Sequence, residues 1–434
     1  MDTPICDFVR RYAESGTLRL HMPGHKGQGP LGIEHLDITE ICGADSLYEA
    51  DGIIAQSEAN ASQLFGCPTF YSTEGSSQCI RAMVYLAMRD AKAKGKPLRI
   101  AAGRNAHKTF LSAAALLDAD VVWLYPKGGE SYLSCTITAE DAEALENVTA
   151  LYLTTPDYLG NLAGIAAISA VCRQKGILLL VDNAHGAYLK FRPQSLHPMD
   201  QGADLCCDSA HKTLPVLTGG AYLHIRDAEL AKNAKDALAL FGSTSPSYLI
   251  LQSLDAANRH LAEDYRQQLA AFIEHVQQFR SRLWAHGYRF VGTEPMKLTI
   301  EAKLSGYTGT ELAHILRKHG LECEFADPDY LVLMPTPKSD LSYLQDVLIG
   351  LERRSPLVAP RPAFFKPEKV LSIREAALSP SRLVPIAESL GKILAAATVG
   401  CPPAVPIVVC GERIDSEAIA VFQYYGIETC RVCE

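Results

Sequence analysis

The stretch DLCCDSAHKTLPVLTGGAYLHI, Asp204 to Ile225, decides how the chain is read. Its apolar run Leu205 to Cys207 predicts a short buried strand that stops at Asp208-Ser209-Ala210-His211-Lys212. After Pro215 and the pair Gly219-Gly220, a second short strand is expected from Ala221. Lys212 therefore falls on a loop just past a strand end, with Ser209 and His211 beside it. Strand ends are where open α/β sheets bind ligands. A partly desolvated lysine in such a place is a candidate amine nucleophile for Schiff-base formation. An isolated loop lysine is more commonly just solvated, so the decision passes to a second stretch, GILLLVDNAH, Gly176 to His185. Ile177 to Val181 is an uninterrupted apolar run ending in Asp182, as a central parallel strand would be. A carboxylate at a buried strand end needs a cation or strong donors, and a protonated pyridine nitrogen is one such cation. Asp182 at one strand end, Lys212 after a later one, and a hydroxyl and an imidazole flanking the lysine are the parts that a pyridoxal phosphate (PLP) site requires. The plainer alternative is a capping aspartate and an unrelated lysine.

Outward from these two stretches, strands and helices alternate. Strands are expected at Leu98 to Ala102, Val121 to Tyr125 and Leu151 to Thr154, and helices at Ile53 to Phe65, at Ala139 to Glu146 and at Ile165 to Lys175. Such alternation means an α/β fold with a mainly parallel sheet flanked by helices. Phe70-Tyr71-Ser72-Thr73-Glu74-Gly75-Ser76-Ser77-Gln78 reads as a turn opening a helix that runs to about Ala93. Gly75 lets the backbone approach a ligand, and Ser76, Ser77 and Gln78 place donors at a helix N-terminus, which suits a phosphate; an ordinary N-cap serine is the alternative. His107, just past a strand, could stack on a flat ring or simply cap a helix. Beyond Ile225 the pattern turns helical: Ala228 to Leu240, the hydroxyl-rich break at Gly242 to Pro246, and a long or bent helix from Ser247 to about Arg282. Tyr288 to Val291, Lys297 to Glu301, Gly309 to Lys318 and Tyr330 to Met334 suggest a smaller C-terminal α/β domain. A Pro-rich connector, Arg353 to Pro367, and a last helical segment from Ser372 follow. The expected division is an N-terminal segment 1–52, a large domain 53–285 and a C-terminal part 286–434.

Composition excludes several classes. With 434 residues, 48% apolar and 21% charged, the chain has the make-up of a soluble globular protein with one large and one or two smaller domains. A net charge of −8 argues against a nucleic-acid partner and is compatible with a cationic small substrate. The N-terminus MDTPICDFVRRY has no apolar leader core, and no apolar run reaches membrane-spanning length, so a cytoplasmic protein is expected. Thirteen scattered cysteines point to reduced thiols. Cys430-x-x-Cys433 lacks two further ligands by spacing, so no metal is expected.

The ordered motifs resemble the Orn/Lys/Arg decarboxylase family, PLP enzymes of the aspartate-aminotransferase fold (fold type I), over nearly the whole chain. The likeness is to the short form, without the N-terminal wing domain. HMPGHKGQG at His21 to Gly29 is similar to the family's N-terminal motif, and DITE at Asp37 with GADSLYEADG after it is similar to the segment that follows. Asn105-Ala106-His107-Lys108-Thr109 resembles the turn whose His stacks on the cofactor ring. Asp182-Asn183-Ala184-His185-Gly186-Ala187 resembles D-x-A-H-G-A, whose Asp pairs with the pyridine nitrogen. Ser209-Ala210-His211-Lys212-Thr213-Leu214 resembles S-x-H-K-T-L, whose Lys carries the Schiff base. Ser243-Thr244-Ser245-Pro246-Ser247-Tyr248 is similar to the T-T-S-P-x-Y segment that reaches the phosphate of the neighbouring subunit.

The resemblance implies catalytic roles for Lys212, His211, Asp182 and His107. It implies cofactor contacts from Ser76, Ser77, Gln78, His107, Asp182, Ala184, His185, Ser209, His211, Lys212 and Ser243, in a homodimer with shared sites. The implied reaction is α-decarboxylation of arginine, lysine or ornithine. An aminotransferase or other lyase of the same fold is the alternative, and a PLP-binding regulator without turnover a more remote one. Three segments depart from the family pattern. Y-P-P-G-I-P has become Cys401-Pro402-Pro403-Ala404-Val405-Pro406, T-x-P-T-Y-x-G has become Thr154-Thr155-Pro156-Asp157-Tyr158-Leu159-Gly160, and Glu74 replaces the Asn before Gly75. These departures leave the cofactor core intact and bear on the substrate.

Overall fold

The structure, a computed structural model, describes residues 1–127, 131–396 and 404–434. The large sheet has seven strands: β1 (Thr69–Ser72), β2 (Arg99–Gly103), β3 (Asp120–Leu124), β4 (Ala150–Thr154), β5 (Leu178–Asp182), β6 (Leu205–Asp208) and β7 (Ala221–Ile225). The described residues group into two compact units, each built from two stretches of chain: 1–97 with 172–268, and 98–171 with 269–434.

In the first unit the strand order is β1-β7-β6-β5. β5 and β6 run parallel, with Val181 opposite Cys206 and Asp182 opposite Cys207. β7 is antiparallel to both of its neighbours, β6 and β1. β1, β5 and β6 therefore share one direction, and their C-terminal ends open on the same edge of the sheet. All of β6 and β7 is buried, as is β5 from Leu179 onward, which accounts for their continuous apolar runs. The helix Ser76–Ala93 follows β1 and buries Cys79, Ile80, Met83, Val84, Leu86 and Ala87 on one broad face.

In the second unit the order is β4-β2-β3, all parallel. A four-stranded antiparallel sheet accompanies it: β8 (Phe290–Val291), β9 (Leu298–Glu301), β10 (Phe325–Ala326) and β11 (Tyr330–Leu333), in the order β10-β11-β9-β8. The helix Gly309–Lys318 opens on a capping box between Thr308 and Glu311. Near the C-terminus β12 (Ser381–Pro385) and β13 (Thr429–Cys433) form a two-stranded sheet that the sequence pattern does not announce.

Four elements differ from expectation. Phe70 to Ser72, expected as part of the turn before the helix Ser76–Ala93, lie in β1 and pair with β7. Lys212 lies in a single helical turn, Ala210–Thr213, rather than on an open loop, because the Leu214 amide closes back on the Ala210 carbonyl at 2.8 Å. The helix expected over Ala228 to Leu240 is two short helices, Ala228–Ala231 and Ala234–Ala239. The long helix from Ser247 is likewise two, Tyr248–Ala262 and Tyr265–Ala285, parted where Glu263 leaves helical geometry at ψ −117°.

Candidate active site

Three chain segments of the first unit meet at the C-terminal edge shared by β1, β5 and β6. β1 ends in the turn Thr73-Glu74-Gly75, which delivers the N-terminus of the helix Ser76–Ala93. Gly75 has φ 72°, a left-handed conformation that favours glycine, and its amide donates to the Gly219 carbonyl at 2.7 Å. Gly219 is glycine for a further reason: a Cβ there would come within 2.9 Å of the Thr73 carbonyl oxygen. The two glycine-bearing turns are thus locked together. Across them the Ser209 hydroxyl donates to that of Ser76 at 2.8 Å, so the hydroxyls that precede Lys212 and that open the helix form one pair.

β5 delivers Asp182, 2% exposed, whose Oδ1 accepts from the Ala184 amide at 3.2 Å and faces the Cys207 thiol at 3.7 Å. The same turn carries His185, itself buried, and its Nε2 lies 3.0 Å from Lys212 Nζ. The contact joins the turn after β5 to the helical turn after β6. His211 Nδ1 donates to the Gly220 carbonyl at 2.9 Å, which leaves Nε2 as the basic nitrogen of the neutral ring. Burial, and then the charge of Lys212, lower the His211 pKa from the ordinary 6.5 against the opposing effect of the Gly220 bond.

Other expected residues are placed differently. Gln78 is fully buried, and its side chain is committed within the protein. Nε2 donates to Tyr48 Oη and to the Leu238 carbonyl, both at 2.8 Å, and Oε1 accepts from Ser72 Oγ at 2.5 Å. It braces the turn, leaving Ser76, Ser77 and Ser209 as the hydroxyls near the helix N-terminus. Glu74 is exposed, and its carboxylate accepts from the Ser243 amide of the same chain. Ser243 to Ser245 are exposed. His107 belongs to the second unit, where it caps the helix Lys108–Leu117; its Nδ1 accepts from the Thr109 amide at 3.2 Å. In that unit the Lys108 amide donates to the carbonyl of Ala404, a non-glycine residue at φ 57°. The first three residues of the altered motif, Cys401, Pro402 and Pro403, lie outside the described residues.

Sequence reasoning missed a group directly beneath this edge. Asp208, the last residue of β6, is fully buried with His197 and His224, and its Oδ2 accepts from their Nε2 atoms at 3.0 and 3.1 Å. Asp208 Oδ1 accepts from Asn183 Nδ2 at 2.6 Å. Nothing in the sequence marks two histidines 27 residues apart as neighbours; only the pairing of β6 with β7, His224 opposite Cys206, brings His224 there.

A model of the Orn/Lys/Arg decarboxylase major domain matches residues 3–295. The chain belongs to the Orn/Lys/Arg decarboxylase family. Among curated relatives of this family, it is 30% identical to an arginine decarboxylase of Halalkalibacterium halodurans, over 96% of this chain and 92% of that protein. It is 28% identical to an arginine decarboxylase of Bacillus subtilis, over 96% and 92% respectively. Among solved structures, the lysine decarboxylase of Francisella novicida superposes with a TM-score of 0.78 at 16% identity, covering 100% of this chain and 81% of that one. That likeness is one of fold. Family and fold are those of PLP enzymes.

Proposed function

We propose that this family member decarboxylates a basic amino acid, arginine, lysine or ornithine, to the corresponding amine and CO2, with PLP held at the C-terminal edge of β1, β5 and β6. The observation that carries the proposal is the contact of Lys212 Nζ with His185 Nε2 at 3.0 Å, on the same edge as the buried carboxylate of Asp182 and the Ser76–Ser209 hydroxyl pair. The donor set fits the cofactor group by group. Lys212 offers an amine for the aldehyde, and Asp182 a buried anion for a protonated ring nitrogen. Ser76, Ser77 and Ser209, at the mouth of an 18-residue helix, offer hydroxyls and first-turn amides for a phosphate.

When bound, PLP supplies an electron sink for the pair released as the bond from Cα to the carboxylate breaks. The residues of the chain do the rest. Asp182 holds the ring-nitrogen proton, His185 holds the Lys212 amine in place, and Ala184 fixes the Asp182 carboxylate through its amide. Lys212 and His211 are the groups positioned to return a proton to Cα; His211, whose Nδ1–H is held by the Gly220 carbonyl, must first take up a proton at Nε2. The family resemblance assigns a ring-stacking role to His107. The assembly is a homodimer in which Ser243 to Ser245 complete the phosphate site of the neighbouring subunit. Their exposure in the single chain supports this, as does an exposed apolar stretch, Leu18, Leu20, Met22 and Leu31, each more than 60% accessible. Among the described residues, no helix is long and apolar enough to cross a membrane.

The test is a panel of amino acids incubated with the PLP-loaded enzyme, with CO2 and α-keto acid measured together. CO2 from one or more of arginine, lysine and ornithine, without keto acid, is the expected result. Keto acid without CO2 would assign an aminotransferase instead.

A further inference from the structure

The group formed by Asp208, His197 and His224 has no part in the chemistry above, yet it sits at the junction of the two segments that carry Asp182 and Lys212. The neighbouring hydrogen bonds fix its protons. The Thr69 hydroxyl has two acceptors in reach, the Cys67 carbonyl at 3.0 Å and His224 Nδ1 at 2.9 Å; with its hydrogen on the carbonyl it accepts from Nδ1. In that arrangement both ring nitrogens of His224 carry hydrogen, Nε2 toward the Asp208 carboxylate, and the ring is an imidazolium. His197 differs: its Nδ1 accepts from the Met199 amide at 3.4 Å, so this ring is neutral and donates through Nε2. Asn183 cannot be turned over, since its amide oxygen would then face the carboxylate.

We propose that Asp208, held as a carboxylate by the His224 imidazolium and the neutral His197, is a positioning residue that ties the end of β6 to the turn after β5 through Asn183. Asn183 follows Asp182 directly, and Asp208 precedes Ser209 directly. The 2.6 Å bond between their side chains joins, at one point, the segments that hold the buried carboxylate and the active lysine. The backbone adds one bond, Asn183 N to the Cys207 carbonyl at 3.0 Å. Protonation of the pair follows the geometry. Burial opposes charge on both partners, but the histidines hold the Asp208 carboxyl below the usual carboxylate range, and Asp208 raises His224 above 6.5. The other titratable groups facing it are Cys79 on the helix Ser76–Ala93, Cys206 and Cys207 on β6 and Tyr222 on β7, with Cys67, after the helix Ile53–Phe65, beside His224. Phe65 covers the His224 ring at 4.4 Å between centroids.

The three side chains could instead be ligands, since their polar atoms lie close enough to share a metal ion. The His197 tautomer speaks against this, because its Nε2 carries the hydrogen that a metal would have to displace.

The kinetic consequence rests on the decarboxylase reading; the protonation state does not. Protein labelled with ¹³C at histidine Cε1 and freed of cofactor is examined by NMR at pH 7.5. One buried ring should hold the imidazolium shift, and it should lose that shift in Asp208→Asn. In Asn183→Ala the imidazolium should persist, because the triad is intact. Both variants, loaded with PLP, should lose about tenfold or more in kcat, as displaced reacting groups do. KM should change by less than about threefold. If Asp208→Asn does not fold, Asn183→Ala carries the kinetic test alone. A neutral His224 in the wild-type protein overturns the proposal, as does a wild-type kcat in Asn183→Ala. So does one equivalent of metal per chain that is lost in Asp208→Asn. An enzyme that shows the imidazolium but releases no CO2 would refute the decarboxylase reading and leave the charge assignment standing.

Discussion

Replacing Asp182 with Asn isolates the charge at the end of β5. The substitution keeps the volume of the side chain. It also keeps an amide oxygen where Oδ1 now accepts from the Ala184 amide at 3.2 Å, so the turn that positions His185 should be undisturbed. What is lost is an anion that is 2% exposed. A pair of unit charges about 4 Å apart is worth about 4 kcal/mol at an effective dielectric of about 20. Removing one preorganised electrostatic partner from a water-excluded site typically costs about 10² to 10³ in turnover. Asp182→Asn should therefore bind PLP, melt like the wild-type protein when cofactor-free, and lose about 10² to 10³ in kcat. The assay is CO2 release at saturating PLP and saturating substrate, with cofactor content read from absorbance. Turnover within about threefold of the wild type would refute the assignment of Asp182 to the ring nitrogen. A variant that cannot retain PLP, or whose melting curve collapses, would show that the carboxylate is needed for the fold of the edge rather than for the chemistry.

Other outcomes follow from the same geometry. The lowered pKa of His211 keeps its ring neutral down to below pH 6.5, and the unfolded chain takes up this proton first. Its contribution to stability is therefore full above 6.5 and shrinks as pH falls. If His211 returns the proton, its protonated form is the active one, so kcat should fall as pH rises through a pKa below 6.5, and this limb should vanish in His211→Asn; a limb unmoved by the substitution would remove His211 from proton transfer. Lys212→Ala and a triple replacement of Ser243, Thr244 and Ser245 should complement when subunits are exchanged, because one site of the mixed dimer carries neither defect. Silence in material shown to have exchanged would place the whole site within one chain. In the second unit, Arg104 and Glu412 form an ion pair at 2.8 Å that is 1% and 2% exposed, and Arg104 also donates to the Pro406 and Ile407 carbonyls. Glu412→Ala leaves a buried guanidinium without its anion and should destabilise the protein by about 3 to 5 kcal/mol in denaturant unfolding. A loss below about 1 kcal/mol would mean that solvent reaches the pair.

How far the sequence reaches can be argued from these residues. β1 reads as part of the turn before the helix Ser76–Ala93, but short apolar runs with turn residues at their ends located the other six strands of the large sheet to within a residue or so. The reason is that β5, β6 and β7 are buried on both faces and tolerate nothing else. The helix Ser76–Ala93 was legible because Gly75 and two serines mark its start. The break at Glu263 was not, since neither glycine nor proline stands there and the residues around it favour helix. β12 escaped because Ser381–Pro385 is mostly exposed, so no alternating pattern arises; in β13 the buried Cys430 and Val432 do alternate with exposed residues, but the stretch reads only as a Cys-x-x-Cys pair. At the site, Lys212, His211, Ser209 and Asp182 could be found because each sits next to a strand end. The commitment of Gln78 to Tyr48 and Leu238, and the meeting of His197 with His224 at Asp208, are products of tertiary packing. A lone histidine in an apolar strand gives no sign of its partner.

The claim on which the rest depends is that Lys212 holds the cofactor. Reducing the PLP-loaded protein with borohydride, digesting it and mapping the pyridoxyl mass tests this without any assay of turnover. The expected result is one equivalent of label per chain, all of it on the peptide containing Lys212, and none in Lys212→Ala. Label on any other lysine, or an unlabelled Lys212 in protein that retains PLP, would contradict the account.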